Sequence, residues 1–592
     1  MMDGGSSKGH PVLDDPRYRS ARRGETWAVF LAILLAFALF HLVISRLIWS
    51  EIPLQTDTGI WAYFAARMLE GATLYLDLWE SKPPGIFWTF SAAEWLFGVG
   101  SDWALVWLDA LVTVAVCGMT YLAARRVAGA GMALFAVCLL SVVMSHRVLA
   151  DWGDNLEKFV VFFEMTASWL VVGSARARSA SLRWLFAGLC CGLAAVFKQT
   201  GILLLVILVA GLAFDWRALG GPRRGRASVL LLAGAAVPWV VVLGWLVSNG
   251  TMGGFWRQVI VHDVQRAASP ELERARLLEP EHWAGVGRHL LLAGVLLGPA
   301  LAALILRAGE KARSAAAAKA PRQSALPAID VYFVYAILAT LVFVLAPHGY
   351  GHYLLHAAPP AAVLLAWLAS SRPSFSERPI VCAICLAGML IGLWQLGDHF
   401  EFLLQPRCDA RRAYKAIRER NDRLVDVVRD ASTRDQSVLL WPADHAVNYY
   451  ARRRTPLEMC QAIDIFRGRV RLLDPPLDVV VQRLMEDPPD VIVDWSPVAV
   501  ERRVPGDPAS PPELLTPAGG YSLAEDPNPN HAHVEGRLLA PLKSWLRKNY
   551  GAQSRVDDLC TVYYRGKPWR DWREYLLPPA RARTPGPRPR SP

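Results

Sequence analysis

Between Trp27 and Leu396 the chain alternates long apolar runs with short polar ones, and after Asp398 the alternation stops. In the hydrocarbon core of a bilayer nothing outside the chain can satisfy backbone N–H and C=O groups. A run of about 20 apolar residues must therefore cross as a helix. The first run, Trp27 to Trp49, covers the roughly 30 Å core at about 1.5 Å per residue with some to spare. It is too long for a signal-peptide core and no small-residue cleavage site follows, so it reads as an uncleaved first span. The full set of expected spans is 27–49, 103–124, 129–147, 157–173, 184–197, 201–214, 228–247, 289–306, 329–346, 353–369 and 380–396. The shortest two flank Lys198-Gln199-Thr200-Gly201, a polar break in what would otherwise be one buried run. Charged residues make up 19% of the 592, below the ~25% of soluble domains, and the deficit is concentrated in residues 27–396.

The basic residues assign the sides. Arg17, Arg19, Arg22 and Arg23 precede the first span. Arg125 and Arg126 follow the second, Arg176, Arg178 and Arg183 the fourth, and Arg217, Arg223, Arg224 and Arg226 the sixth. Arg307, Lys311, Arg313, Lys319 and Arg322 follow the eighth, and Arg372 and Arg378 the tenth. With eleven spans every cluster falls on one side, the cytoplasmic one, and the C-terminal region falls outside. The net charge of +11 is thereby explained by loops, and no nucleic-acid motif accompanies it. The 23 tryptophans suit a chain with many membrane–water interfaces. Cys117, Cys138, Cys190, Cys191, Cys382 and Cys385 lie in apolar runs, while Cys408, Cys460 and Cys560 lie in the polar part. There one disulfide is compatible with an outside location, with its pairing open.

One apolar stretch, Ile86 to Phe97, is too short to span. It follows Lys82-Pro83-Pro84-Gly85, and proline suits a first helical turn, so it reads as a helix lying in the interface. A second helix, from about Thr58 to Glu70, places Trp61, Phe64, Ala65 and Met68 on one face and stops at Gly71. The first outer loop is thus long and carries two membrane-hugging helices. On the same outer side the spans present Asp57, Tyr75, Asp77, Glu80 and Lys82; Asp151, Asp154, Asn155, Glu157 and Lys198; Arg257, His262 and Asp263; and His348, Tyr350, His352 and Tyr353. Ionisable groups near membrane depth are costly, and gathered at span ends they point to a site at the membrane boundary.

Three blocks carry a resemblance. Asp57-Thr-Gly-Ile-Trp-Ala-Tyr-Phe-Ala-Ala-Arg67-Met-Leu-Glu-Gly71, then Tyr75-Leu-Asp77 and Lys82-Pro83-Pro84-Gly85, resemble the first outer loop of GT-C fold glycosyltransferases. The similar group is family 39, which includes the protein O-mannosyltransferases and the bacterial lipid A aminoarabinose transferase. Asp154-Asn155-Leu-Glu157 resembles that family's second acidic motif. Gly351-His352-Tyr353-Leu-Leu-His356-Ala-Ala-Pro359 resembles the His-Tyr segment opening a late span. The usual Asp-Glu pair is here Asp57-Thr58.

The resemblance implies a membrane enzyme that takes a sugar from a polyprenyl phosphate and passes it, with inversion, to an acceptor hydroxyl. The location it implies is the outer face of a bacterial inner membrane, with the N-terminus cytoplasmic. Such chemistry needs a carboxylate base for the hydroxyl proton and cations for the departing lipid phosphate. It implies Asp57 as the base, with a helix N-cap as the alternative job. Lys82 is the expected phosphate contact, against a lysine that merely snorkels. Glu157 and Asp154 are expected to orient the acceptor, bind a metal ion or hold the first loop, or else to be solvated loop acids. Lys198, His352, Tyr353 and Tyr75 are expected at the lipid phosphate or sugar, against span-end and aromatic-belt packing. No His/Cys spacing fits a structural metal, and a divalent catalytic ion stays open. Lipid, glycan and protein acceptors are all compatible, and residues 248–288 form an outer loop long enough to cover a site.

After Asp398 the charge rises. Ala410 to Arg429 reads as an Arg-rich helix, Ser437–Trp441 and Asp490–Trp495 as buried strands, and the Pro-rich stretch from Pro505 to Pro529 as a loop. The expected fold is an all-α polytopic membrane domain, GT-C-like, followed by a small α/β extracytoplasmic domain. The expected boundaries are a cytoplasmic tail at 1–26, the membrane domain at 27–397, the α/β domain at 398–577 and a disordered Pro/Arg-rich tail at 578–592. A different class, a non-catalytic transporter or scaffold for lipid-linked glycans, would call for internal repeats and mid-membrane polar groups. No clear repeat is visible.

Overall fold

The computed structural model describes residues 16–54, 56–150, 155–172, 180–213, 224–264, 280–316, 329–346, 351–370, 379–441, 445–456, 482, 484–495, 544–546, 548–556 and 560–566. The described residues are mostly helical, with a small sheet near the C-terminus. Each of the eleven segments read as a span holds a helix. They are α1 (Pro16–Trp49), α4 (Asp102–Ala124), α5 (Ala130–Val143), α6 (Leu156–Val171), α7 (Ala180–Phe197), α8 (Leu203–Ala213), α9 (Arg224–Ser248), α12 (Gly294–Ala316), α13 (Ile329–Leu345), α14 (Ala358–Ser370) and α15 (Pro379–Leu404). Among the described residues three helical stretches are long and apolar enough to cross a membrane alone: Ala28–Trp49, Asp102–Ala124 and Gly225–Ser248. A fourth would be the pair His282–Leu292 and Gly294–Gly309, bent by 85°; its first arm belongs to α11 (Pro280–Leu292).

The segment between the first two expected spans holds two helices, as its spacing predicted. Helix α2 (Thr56–Leu69) begins two residues earlier than the apolar spacing placed it, and Gly71 follows at φ +101°, a conformation that suits glycine. Helix α3 (Gly85–Phe97) starts directly after Pro83-Pro84. The break inside the 184–214 run is also real. Lys198 is extended, with φ −154° and ψ 143°, between α7 and a 3-10 turn at Gln199–Ile202.

The chain divides into two compact units. The first comprises Met1–Ile48, Leu108–Trp239 and Arg276–Leu403 and is helical. Helices α6 and α7 pack together there, as do α12, α14 and α5. The second comprises Trp49–Trp107, Val240–Ala275 and Leu404–Pro592. It joins α2 and α3 to α10 (Met252–Phe255), which continues as a π-helix at Trp256–Val261, and to the C-terminal region. That region contains α16 (Asp409–Ala431), α17 (His445–Ala451) and four strands: β1 (Val438–Trp441), β2 (Val491–Asp494), β3 (Tyr550–Val556) and β4 (Cys560–Arg565). The sheet order is β1-β2-β4-β3; β1 and β2 are parallel, in register Val438↔Val491, and the other pairs antiparallel. β1 and β2 are buried along their whole length, as unbroken apolar runs require. Leu424, Val428, Val438, Val491, Trp495 and Val562 form the core between sheet and helices. Cys408 and Cys560 are free thiols. Cys460, the stretch from Pro505 to Pro529 and the 578–592 tail lie outside the described residues.

Candidate functional site

In the second unit the site residues sit on α2 and on the turn between α2 and α3. Asp57 occupies the first turn of α2, so it follows the helix start rather than capping it. It is exposed, and its carboxylate has no ion pair among the described residues. A carboxylate there also interacts favourably with the helix dipole. One turn further along the same face is Trp61, and the ammonium of Lys82 lies over its ring, 5.4 Å from the centroid. Positions four apart on a helix have neighbouring side chains, with Cβ atoms roughly 5–6 Å apart. Lys82 is held as well by the carboxylate of buried Glu80, 3.3 Å away.

Tyr75 builds this turn. Its backbone takes φ +69°, its N–H donates to Leu78 O at 2.8 Å and its hydroxyl donates to the Lys82 carbonyl at 2.7 Å. The ring packs edge-on against Phe255. Burial and then the nearby Glu80 carboxylate push its phenol well above the usual tyrosine range. A tyrosine engaged in this way fixes Lys82, and its hydroxyl is spent on the backbone. Gln258 closes the arrangement by accepting from Glu80 N at 3.0 Å and donating to Tyr75 O at 3.2 Å.

In the first unit a second cluster forms around Glu157, at the start of α6. The carboxylate binds the Lys198 ammonium directly, and His352 Nε2 stands 3.8 Å from the same oxygen. Lys198 also lies over the ring of Tyr353, 4.1 Å from its centroid, and Tyr353 meets His352 edge-on. The extended backbone at Lys198 is what lets its side chain turn toward α6 instead of running down a helix face. Thus four of the residues read from sequence, Glu157, Lys198, His352 and Tyr353, come together. Asp154 lies outside the described residues, as do Asp151, His348 and Tyr350.

Two further features were given no role from the sequence. Glu80 is one. The other lies seven residues beyond Glu157 on the same face of α6: Glu164 accepts from Tyr335 and pairs with His356 Nδ1 at 3.3 Å, while His356 Nε2 is 3.4 Å from Thr200 Oγ1. Glu157 with His352 and Glu164 with His356 form two successive acid–imidazole rungs between α6 and the turn at Gly351–His356. A signal existed for the lower rung, the i, i+7 spacing of the acids against the i, i+4 spacing of the histidines. On the far side of α6, Lys158 binds both oxygens of Asp109 at 2.6 and 2.8 Å, and Arg46 binds the same carboxylate.

The first unit also contains an apolar cavity of about 640 Å³ among α11, α12, α13, α14 and α15, lined by Leu291, Leu297, Leu301, Phe333, Ile337 and Leu341 among others, with Thr340 as a polar exception. Among the described residues no group of three or more His, Cys, Asp and Glu side chains gathers closely enough to hold a metal ion.

Comparison with known proteins matches residues 81–246 to the dolichyl-phosphate-mannose-protein mannosyltransferase family. Among individual relatives, an undecaprenyl phosphate-alpha-4-amino-4-deoxy-L-arabinose arabinosyl transferase of Pseudomonas aeruginosa (strain UCBPP-PA14) is 26% identical over 275 residues. That alignment takes in 43% of this chain and 46% of the relative, so the chain spans less than half the length of the relative it matches. Solved structures with a similar outline include ArnT from Cupriavidus metallidurans bound to undecaprenyl phosphate, with TM-score 0.49, 15% identity and coverage of 79% of this chain and 93% of that one. Another is the oligosaccharyltransferase AglB from Archaeoglobus fulgidus, with TM-score 0.46, 14% identity and coverage of 90% and 74%. The matched segment holds Lys82-Pro83-Pro84-Gly85 at the start of α3 and Asn155-Leu156-Glu157 at the start of α6, so the part of the chain that is similar to the dolichyl-phosphate-mannose-protein mannosyltransferase family includes both of these blocks.

Proposed function

We propose that this chain is an inverting glycosyltransferase that moves a sugar from a polyprenyl-phosphate donor to an acceptor hydroxyl at the extracytoplasmic face of an inner membrane. The observation that carries the reading is the spacing on α2: an exposed carboxylate without an ion pair among the described residues, Asp57, one helical turn from the ring on which Lys82 rests. The acceptor oxygen attacks the anomeric carbon as its proton passes to Asp57. The bond from that carbon to the phosphate oxygen breaks, and the electron pair leaves with the lipid phosphate. Lys82 is the cation for that developing charge, oriented by Glu80 and Trp61. Tyr75 positions Lys82 through its carbonyl.

The Glu157 cluster supplies a cationic surface of its own. Lys198 and His352 contact phosphate or sugar, Glu157 orients both, and Tyr353 stacks under the ammonium. Asp154, outside the described residues, is assigned from its sequence motif alone as an acceptor-orienting acid. The apolar cavity suits the hydrocarbon of a prenyl carrier. The alternation of basic loops supports the outward-facing orientation.

The test is transfer of radiolabelled sugar from a panel of polyprenyl-phosphate sugars by the purified full-length protein, beside Asp57→Asn. One donor turned over by the wild type, and a loss of at least about a thousandfold in the variant, is the expected result. Equal turnover in both would remove Asp57 from the mechanism.

A further inference from the structure

Residues 445–455 of the C-terminal region touch the first outer loop ahead of α2, along α2 and from the end of α3 to the start of α4. At the start of α2, Gly59 lies so close to α17 that a Cβ there would stand 2.7 Å from Ala446 Cβ. One turn later the Tyr63 hydroxyl accepts from Thr455 N at 3.0 Å, and the His445 ring packs against Tyr63 and Phe64. Ahead of α2, Leu54 N donates to the Tyr450 hydroxyl at 3.4 Å; that hydroxyl donates to Asp102 at the start of α4, at 3.0 Å. At the end of α3, the Tyr449 hydroxyl donates to Glu94, and Gly100 N shares its hydrogen between the Tyr449 hydroxyl at 3.1 Å and Glu94 Oε2 at 3.0 Å. Arg452 donates to Val99 O at 2.7 Å, and Arg418 stands 3.5 Å from Asp102.

We propose that α17 and the turn after it form a clamp that positions the loop bearing Asp57 and Lys82, with Tyr449, which holds buried Glu94, and Tyr450, which links Leu54 to Asp102, as positioning residues. The catalytic consequence rests on the reading of Asp57 and Lys82 above; the clamp itself does not. A sequence-distant pair of adjacent tyrosines reaches both ends of the loop, Tyr450 on the Leu54 and Asp102 side and Tyr449 on the Glu94 and Gly100 side. Neither hydroxyl is needed to fold α17, whose packing is made by ring carbons and by Ala446 and Val447. Phenylalanine at 449 therefore removes the hydroxyl shared with Glu94 and Gly100, and at 450 the one shared with Leu54 and Asp102, while the contacts of Thr455 with Tyr63 and of Arg452 with Val99 remain.

The clamp also titrates. Glu94 is 2% exposed, and burial pushes its carboxyl up to about 7, with Asp102 adding to the rise and Tyr449, Gly100 and Arg452 opposing it. Tyr450 and Arg418, on the elements packed around it, are engaged with Asp102. Since the docked state holds the proton more tightly than the free loop, docking takes up a proton. The clamp is tightest below the ordinary carboxyl value of 4.5, weakens as pH rises to about 7 and is constant above that.

The experiment is hydrogen exchange of peptides from residues 54–101 in the full-length detergent-solubilised protein between pH 4 and 8, corrected for the chemical exchange rate. In the wild type the opening equilibrium should rise by up to about tenfold per pH unit between pH 4.5 and about 7 and then level. Glu94→Gln should abolish the dependence. Tyr449→Phe removes a hydrogen bond that favours the ionised carboxylate, so the levelling point should move to higher pH. Tyr550→Phe, whose hydroxyl serves Pro489 O within the sheet region, should lower protection of the sheet and leave the loop's pH profile in place. In transfer assays Tyr450→Phe should lower kcat by about tenfold with donor KM within about twofold. A flat wild-type profile, or a profile that Tyr449→Phe leaves unmoved, overturns the clamp. An intact exchange pattern in a protein that turns over no donor sinks the glycosyltransferase reading alone.

Discussion

Two lysines in the helical unit each hold a carboxylate, and their surroundings differ. Lys158 is fully buried, binds both oxygens of Asp109 and shares them with Arg46. Lys198 is 14% exposed, binds one oxygen of Glu157 and faces an imidazole and an aromatic ring. The first cluster has its charges satisfied from within the helices. The second leaves an ammonium that an anion can reach, already oriented by an acid behind it. A buried ion cluster of the first kind resists solvent and ligand alike, because uncovering any member costs its full desolvation. The contrast separates a lysine enclosed by its partners from a partly exposed one, the one proposed above to contact phosphate or sugar, although both sit at the edge of apolar runs.

The largest effect that can break this comparison belongs to the closed cluster. Asp109→Ala leaves Arg46 and Lys158 buried without their shared partner and should destabilise the protein by about 3–5 kcal/mol, read as a fall in detergent thermal midpoint and in recovered monodisperse protein. Glu157→Gln should spare much of that stability, while transfer falls by about a hundredfold as Lys198 and His352 lose their orientation. A stability loss equal to that of Asp109→Ala would make the two clusters the same kind of object. Lys198→Met should raise donor KM more than it lowers kcat if the ammonium holds the donor in its ground state, with partial recovery in Lys198→Arg. The smallest effect is expected one rung down: Tyr335→Phe removes one donor to buried Glu164 and should cost about 1–3 kcal/mol, with transfer by the surviving folded protein close to wild type.

Much of this architecture could be read before folding. The expected spans are helical because apolar length and the need to satisfy the backbone act locally. The helix after Pro83-Pro84 and the break at Lys198 were legible for the same reason: proline restricts its own neighbourhood, and a polar tetrapeptide interrupts a run wherever it stands. β1 and β2 could be recognised as short unbroken apolar runs in an otherwise charged region. Part of the candidate site was legible too, since Lys82, Lys198, His352 and Glu157 lie at the ends of apolar segments where charge is conspicuous. Glu164, Asp109 and Arg46 were passed over because a lone charge inside a long apolar run leaves the run recognisable and names no partner.

The sequence by itself determined where these helices form and where they break, since both depend on residues within a few turns of one another. Only the tertiary structure decided that Tyr75 spends its hydroxyl on Lys82, that Lys158 is closed off while Lys198 is reachable, and that Tyr449 grips Glu94 across 355 positions of chain. Those outcomes depend on how far each group is desolvated and on which distant partner arrives beside it. Both are properties of packing, and no local pattern of residues specifies them.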